Sequence, residues 1–395
     1  METSQINKHE NISKLLDSLL DAYDNNLRPD FGGPPTAVDI DINVRSMGPV
    51  SEIDMTYSMD CYFRQTWIDR RLAFQGSLDS MTLSINMLQR IWKPDTYFFN
   101  GKFSYVHVIT VPNKFVRLEK DGRVLYSQRL TVKASCLMNL ANFPMDHQQC
   151  PLQVGIGYSQ ENVIYRWNSQ RSVIIASDMK MSQFDLVKFP SGNATKIMNN
   201  GEYSTLLVIF HLQRHMGYFI IQVYAPCTLL VVLSWVAFWI NREATADRIA
   251  LGVTTILTMT FLGMESRSAL PKVSYSTALD FFVVISFLFI FATIIQFAFV
   301  HYFTKVGSGE LYLLPTTPVD FPPAPPDDDE KPDESEVSRV FTLSKRISSI
   351  RSKMYRPVTQ HREQMNSVSQ IDRVSRVIFP LTFLLINLCY WYLYL

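Results

Sequence analysis

Four stretches in the second half of the chain are apolar enough to enter a lipid bilayer, and they constrain the fold more than any other feature. In hydrocarbon every backbone N–H and C=O must find its partner inside the protein, so an apolar run of that length crosses as a helix. Gly217–Ile240 (GYFIIQVYAPCTLLVVLSWVAFWI) carries no charge; at ~1.5 Å per residue it reaches about 36 Å, enough to cross. Arg248–Met264 (RIALGVTTILTMTFLGM) is the second stretch. Ala278–Phe303 has only Asp280 near one end and His301 near the other, and Val377–Leu395 (VIFPLTFLLINLCYWYLYL) is the fourth. The sequence is that of a multi-pass membrane protein.

The second stretch is unlike the others because it is studded with threonines. As a helix it places Ala250, Thr254, Leu257 and Phe261 on one face, with Thr258 on the neighbouring strip. Asp247 and Arg248 bracket one end, and Glu265 and Arg267 the other. Hydroxyls hydrate a path that Leu and Val would leave dry, which suits a helix lining water. The alternative is a helix packed inside a bundle, where Ser and Thr bond its neighbours.

Before the first span the periodicity is that of strands. Asn11–Leu27 reads as a short amphipathic helix, with Arg28-Pro29 beyond it. Val38, Ile40, Ile42 and Val44 then alternate with Asp39, Asp41, Asn43 and Arg45. Cys61, Phe63 and Trp67 share one parity, Tyr62 and Arg64 the other; Arg123–Val132 alternates in the same way. Gly48-Pro49, Asp121-Gly122 and Ser191-Gly192 read as turns. The expectation is an all-β sandwich behind an N-terminal helix. The first 30 residues lack an apolar core of the kind a secretory signal has, so export falls to the first span or to a leader outside this sequence.

Between the third and fourth spans, Thr316–Glu336 is proline-rich with an acidic run at Asp327–Glu330, a composition that predicts disorder. Ser338–Arg356 carries Arg339, Lys345, Arg346, Arg351, Lys353 and Arg356 and reads as a basic amphipathic helix. The positive-inside rule makes this segment cytoplasmic, which leaves the β domain extracellular. The expected domains are 1–216 (extracellular), 217–303 (spans one to three), 304–376 (cytoplasmic) and 377–395 (fourth span).

Net charge is +1 over 395 residues, which offers no electrostatic case for nucleic acid. No metal-spaced Cys–His cluster, nucleophile–base pair, phosphate loop or paired carboxylates stand out, so no enzyme, metal or cofactor is expected. Cys61, Cys227 and Cys389 read as buried thiols. Cys136 and Cys150 enclose LMNLANFPMDHQQ in the exported half, and a disulfide there would staple the loop, worth on the order of 3 kcal/mol. Asn11-Ile12-Ser13 and Asn193-Ala194-Thr195 are glycosylation motifs.

That cysteine pair, with Phe143-Pro144-Met145-Asp146 inside it, resembles the signature of the Cys-loop pentameric ligand-gated ion channels. Trp92-Lys93-Pro94-Asp95 resembles that family's Trp-x-Pro-Asp. GVTTILTMT from Gly252 to Thr260, LPKVSY from Leu270 to Tyr275 and the opening Met216-Gly217-Tyr218-Phe219 resemble the GABA type A and glycine receptor branch. Tyr62-Phe63-Arg64-Gln65-Thr66-Trp67 and Gly201-Glu202-Tyr203 are most similar to α-type GABA receptor subunits, in particular to invertebrate α-like ones. The resemblance implies an extracellular sandwich on a four-helix membrane domain. It further implies five subunits around one axis in the plasma membrane, at a postsynaptic site, with the agonist bound between neighbouring sandwiches. The partners implied are GABA or a similar small amino acid, other receptor subunits in a hetero-oligomer, the membrane and permeant ions.

On the complementary face the resemblance points to Tyr62, Arg64, Ser127 and Arg129. A guanidinium suits the agonist carboxylate because it can grip both oxygens. On the principal face Tyr97 and Tyr203 match aromatic positions of the cage that takes the agonist amine by cation–π attraction. That face departs from the pattern: GABA-binding principal subunits carry an acid where this chain has Gly155, and Ile156-Gly157-Tyr158 is one residue short. The complementary role is therefore the expected one. In the pore set, Asp247, Arg248, Ala250, Thr254, Leu257 and Phe261, Leu257 matches the hydrophobic gate and Phe261 replaces the usual threonine. Chloride-conducting relatives carry a small residue where Asp247 stands. A ring of carboxylates there attracts cations, whereas pairing of Asp247 with a neighbour's Arg248 would leave the pore anionic. The competing class is a non-conducting membrane-anchored binding or assembly subunit. The Cys136–Cys150 loop and Leu270–Tyr275 are the expected couplers between domains.

Overall fold

The computed structural model describes residues 14–75, 78–199, 201–241, 244–268, 270–307 and 370–394. Thr316–Glu336, Ser338–Arg356 and Asn11 lie outside the described residues. Among the described residues the first half forms two facing sheets. In the larger sheet Thr36–Ser51, Thr56–Ile68, Arg123–Ser135, Lys114–Glu119 and Ser80–Leu83 are neighbours in that order. In the smaller, Phe184–Lys188, Gly201–Arg214, His147–Ile156 and Thr96–Phe98 are neighbours, and Ser191–Met198 pairs with Gly201–Arg214.

The core follows the alternation in the sequence. Val38, Ile40, Ile42, Val44, Cys61, Phe63, Trp67, Val124 and Val132 are buried from the larger sheet, and Cys150, Leu152, Val154, Leu206, Val208 and Phe210 from the smaller. Each large apolar side chain so buried is worth about 1.5–3 kcal/mol against exposure. Tyr57 meets Phe210 and Phe63 meets Phe98 edge-to-face across the interior, at 6.0 and 5.6 Å between centroids.

Residues 14–21 are helical, and the helix ends before the Leu27 that the pattern suggested. Behind it the Tyr23 hydroxyl donates to Asp69 at 2.7 Å, and Arg71 donates to both oxygens of the same carboxylate at 2.9 and 2.8 Å. Asp121-Gly122 is the expected turn, with Gly122 at φ +87°. The other two turn readings are corrected. Gly48-Pro49 lies inside the strand Thr36–Ser51, where the pairing register shifts between Met47 and Val50, so the pair makes a bulge. Ser191-Gly192 opens the strand Ser191–Met198.

Among the described residues four helices are long and apolar enough to cross a membrane: Gly217–Trp239, Thr245–Ser268, Ala278–Phe303 and Gln370–Tyr394. The first widens into a π-turn over Ile220–Tyr224. Pro226 explains it: proline has no N–H, and its ring crowds the carbonyl four residues back, that of Gln222. The fourth begins at Gln370, upstream of the apolar run, and so brings Asp372 into the helix. Cys61 and Cys227 are buried as expected, but Cys389 is exposed. The buried stripe of its helix runs through Phe383 and Tyr390, and Cys389 falls beside it.

The contacts divide the chain into one unit of Met1–Thr228, Met259–Ser286 and Leu388–Leu395, and another of Leu229–Thr258 and Phe287–Asn387. Within the first, the hydroxyls of Tyr224 and Tyr390 share a hydrogen bond at 2.8 Å, and Tyr390 donates to the Ala278 carbonyl at 3.0 Å. Within the second, Phe383 packs on Trp235 and Phe289, and Phe379 on Phe238.

A side chain at position 122 would be strained twice, by the positive φ and by overlap with the Asp69 carbonyl. Gly122→Ala is expected to lower stability by on the order of 2 kcal/mol. A fall in the thermal midpoint of the purified protein checks this; an unchanged midpoint would show that the turn opens freely.

Candidate functional site

The four residues expected on the complementary face come together on two paired strands. Tyr62 stands opposite Arg129 and Arg64 opposite Ser127, one row apart on the same side of the larger sheet. Arg64 Nη1 donates to Asp41 Oδ1 at 3.3 Å. The Arg64 side chain is 30% exposed, that of Asp41 9%. Burial pushes the Asp41 carboxyl above its ordinary range, with Arg64 opposing the shift. Asp41 thus aims a guanidinium that still reaches solvent. Arg129 is held more firmly: its Nε and Nη2 donate to the two Asp60 oxygens at 3.2 and 2.6 Å. Sequence reasoning missed Asp41 and Asp60, although strand register places Asp41 opposite Arg64 and Asp60 opposite Thr131, diagonal to Arg129.

Tyr97 and Tyr203 lie on the smaller sheet, in the strands Thr96–Phe98 and Gly201–Arg214. Burial, and then the neighbouring Tyr203 and Asp95, raise the Tyr97 hydroxyl above its usual pKa. Between the two strands, Gly155 pairs with Tyr97 on one side and Thr205 on the other. A Cβ at Gly155 would overlap the ring of Phe99, which stands edge-to-face with Tyr97 at 4.7 Å. The place of the missing acid is therefore filled by an aromatic ring. Lys196, opposite Tyr203 in the adjoining strand, holds its ammonium 4.0 Å from the centroid of that same ring. At Gly157 a Cβ would overlap Asp95 Oδ2, and the Gly157 N–H bonds the Asp95 carboxylate. The sequence showed the absent acid but not Phe99 or Lys196. Asn193 is exposed on Ser191–Met198.

Cys136 and Cys150 form a disulfide with 4.9 Å between Cα atoms. The loop they close meets Tyr275 and the first residues of the third span through three hydrogen bonds. The Leu140 N–H donates to the Tyr275 hydroxyl at 3.0 Å, the Ala278 N–H to the Ala141 carbonyl at 2.8 Å, and the Leu279 N–H to the Phe143 carbonyl at 3.1 Å. Arg214, at the end of the last strand, bonds Asp146 at 2.7 and 3.2 Å and also Glu52. Its guanidinium covers the rings of Phe143 and Phe184 at 4.7 and 4.4 Å.

On the helix Thr245–Ser268, Asp247, Ala250, Thr254, Leu257 and Phe261 are all exposed, whereas Gly252, Thr255 and Met259 are buried. Arg248 does not belong to the exposed set. Its side chain is 1% exposed and pairs with Asp372 at 3.0 Å. Within the chain the partner of Arg248 is Asp372 of the fourth span. A helix turns by about 100° per residue, so consecutive charges face different ways, and Asp247 points out while Arg248 points in.

A sandwich whose disulfide loop bonds a four-span membrane helix set, with one hydroxyl-rich span exposed along a face, defines a receptor-type channel subunit. The family description "Neurotransmitter-gated ion-channel ligand binding domain" matches residues 12–216, and "Neurotransmitter-gated ion-channel transmembrane region" matches residues 223–309. Similar relatives include the gamma-aminobutyric acid receptor alpha-like protein of Drosophila melanogaster, 56% identical over 389 residues covering 79% of this chain and 57% of that one. Another is the gamma-aminobutyric acid receptor subunit alpha-6 of Gallus gallus, 41% identical over 416 residues covering 98% of this chain and 89% of that one. The chain belongs to the neurotransmitter-gated ion-channel family. It is a membrane receptor subunit with an extracellular ligand-binding domain, not an enzyme.

Tyr275→Phe removes the acceptor of the Leu140 N–H and is expected to weaken transmission between the domains by about 1 kcal/mol, roughly fivefold in the opening equilibrium. Single-channel open probability at saturating agonist measures it. An unchanged value would remove Tyr275 from the coupling path.

Proposed function

We propose that this chain serves a channel gated by GABA or a similar small amino acid, that it contributes the complementary agonist face, and that it takes its principal face from a different subunit of the pentamer. The observation carrying this reading is the contrast between its two faces. Arg64 is half-buried but still reaches solvent, aimed by Asp41 and beside Tyr62 and Ser127, a set suited to an agonist carboxylate. On the other face Phe99 fills the space at Gly155, and Lys196 places an ammonium over that ring. At Gly155 an incoming amine meets no carboxylate, and beside it the Lys196 ammonium presents a like charge.

Expressed alone, the chain is expected to give no GABA-evoked current. Expressed with a subunit whose principal face carries the acid, it is expected to give one. In that channel Arg64→Lys keeps the charge but loses the fork, at a cost of about 2 kcal/mol, or roughly thirtyfold in half-activating concentration. Robust gating of the homomer by GABA would overturn the assignment of faces.

We further propose that the exposed face of Thr245–Ser268 lines the ion path and that Asp247 favours cations there. Asp247 is exposed in the first turn, and among the described residues it has no ion-pair partner, while the adjacent Arg248 is buried and paired. Carboxylates ringing an inner mouth attract sodium and potassium and repel chloride. Asp247→Ala is expected to move the reversal potential towards that of chloride, measured under chloride and sodium substitution. No movement would take Asp247 out of ion selection.

A further inference from the structure

The buried partner of Arg248 comes from the last span. Nη1 and Nη2 of Arg248 donate to Oδ1 and Oδ2 of Asp372 at 3.3 and 3.0 Å, and the two side chains are 1% and 0% exposed. Arg248 also donates to the Ile240 carbonyl at the end of the first span. Gln296 of the third span donates to Asp372 Oδ1 at 2.8 Å. The Arg248 guanidinium lies 5.7 Å from the Phe297 ring centroid. All four spans thus meet at one charge pair. The residues flanking Arg248 in sequence, Asp247 and Ile249, are both exposed.

A guanidinium enclosed among Phe297, Gln296 and a helix end stays there because a carboxylate neutralises it. Without that carboxylate it is a lone buried cation, and the way out is short. Arg248 stands in the first turns of its helix, beside exposed Asp247 and Ala250, and its long stem can carry the head to water while its base stays packed. We infer that Asp372 is a positioning residue for ion selectivity: it holds the Arg248 charge inside the bundle, so that Asp247 is the charge this chain exposes at that end of the pore helix. The inference rests on the reading that the exposed face of Thr245–Ser268 lines the ion path. It adds that the sign of the field there is set by a residue on a different span, far from the path in sequence.

The test is bi-ionic reversal potentials of agonist-activated channels assembled from the full chain and its partner subunit. Asp372→Asn is expected to raise the chloride-to-sodium permeability ratio several-fold, because the released Arg248 adds a positive charge beside Asp247. Asp372→Glu is expected to keep the wild-type ratio. The double variant Arg248→Gln/Asp372→Asn, which removes both buried charges and leaves a neutral polar pair, is also expected to keep it. A wild-type ratio in Asp372→Asn at normal surface expression, or an altered ratio in the double variant, overturns the inference. If Asp372→Asn fails to reach the surface, the double variant decides alone: an unchanged ratio supports the inference and a changed one refutes it. Asp247→Ala recorded alongside separates the two claims. Should it leave the ratio unchanged, the Asp247 reading fails, while Asp372→Asn still reports whether Arg248 is held out of the path.

Discussion

The junction between the extracellular sandwich and the first span is built around one buried guanidinium. Arg214 closes the last strand, three residues ahead of Gly217, and its side chain is 1% exposed. A charge in that position is tolerable only with partners on every side. Asp146 from the disulfide loop, Glu52 from the far end of the first long strand, and the faces of Phe143 and Phe184 supply them. The arrangement fixes where the chain leaves the sandwich and what the disulfide loop can touch. Phe143, covered by Arg214 on one side, meets Phe219 of the first span edge-to-face at 4.8 Å. Its carbonyl accepts the Leu279 N–H at the start of the third span. The loop therefore touches the first and third spans at once.

The two faces of the sandwich differ in what they can hold, and for the same underlying reason. Arg64 and Arg129 are both paired with carboxylates on neighbouring strands, so an agonist carboxylate is best received where that pairing is left incomplete. Asp41 engages one nitrogen of Arg64 and leaves the fork open to solvent. Asp60, by contrast, takes two nitrogens of Arg129, which makes Arg129 more a wall of the site than a hand. On the opposite sheet the ring of Phe99 has a cation already.

Period-two alternation made the sandwich legible in the sequence, since a one-residue slip would expose Val38, Ile40, Ile42 and Val44 together. The spans were legible from length and apolarity, and the disulfide from its setting. What failed were features decided by distant partners. Gly48-Pro49 reads as a turn, yet the neighbouring strand continues past it and a bulge absorbs the irregularity. Ser191-Gly192 reads as a turn for the same local reasons, and pairing with Val208 and Leu207 makes it strand. No local pattern shows that Arg248, next to exposed Asp247 in sequence, has its buried partner 124 residues away. Nothing in the local pattern shows that Phe99 fills the space at Gly155, because the two meet only once adjacent strands are in register.

The threonines that set the second span apart acquire a specific chemistry from the helix itself. The Thr254 hydroxyl donates to the Ala250 carbonyl at 2.8 Å, and the Thr258 hydroxyl to the Thr254 carbonyl at 2.8 Å. With each proton turned to the backbone, an exposed threonine offers its surroundings an acceptor oxygen. The exposed face of this helix then carries lone pairs at Thr254 and Thr258 and a carboxylate at Asp247, while the guanidinium that would oppose them is turned inward. Anions are bound by donors and positive charge, cations by oxygens. The exposed polar groups of this strip, set among Ala250, Leu257 and Phe261, are oxygens, so the proposal of cation selectivity draws on Thr254 and Thr258 as well as Asp247.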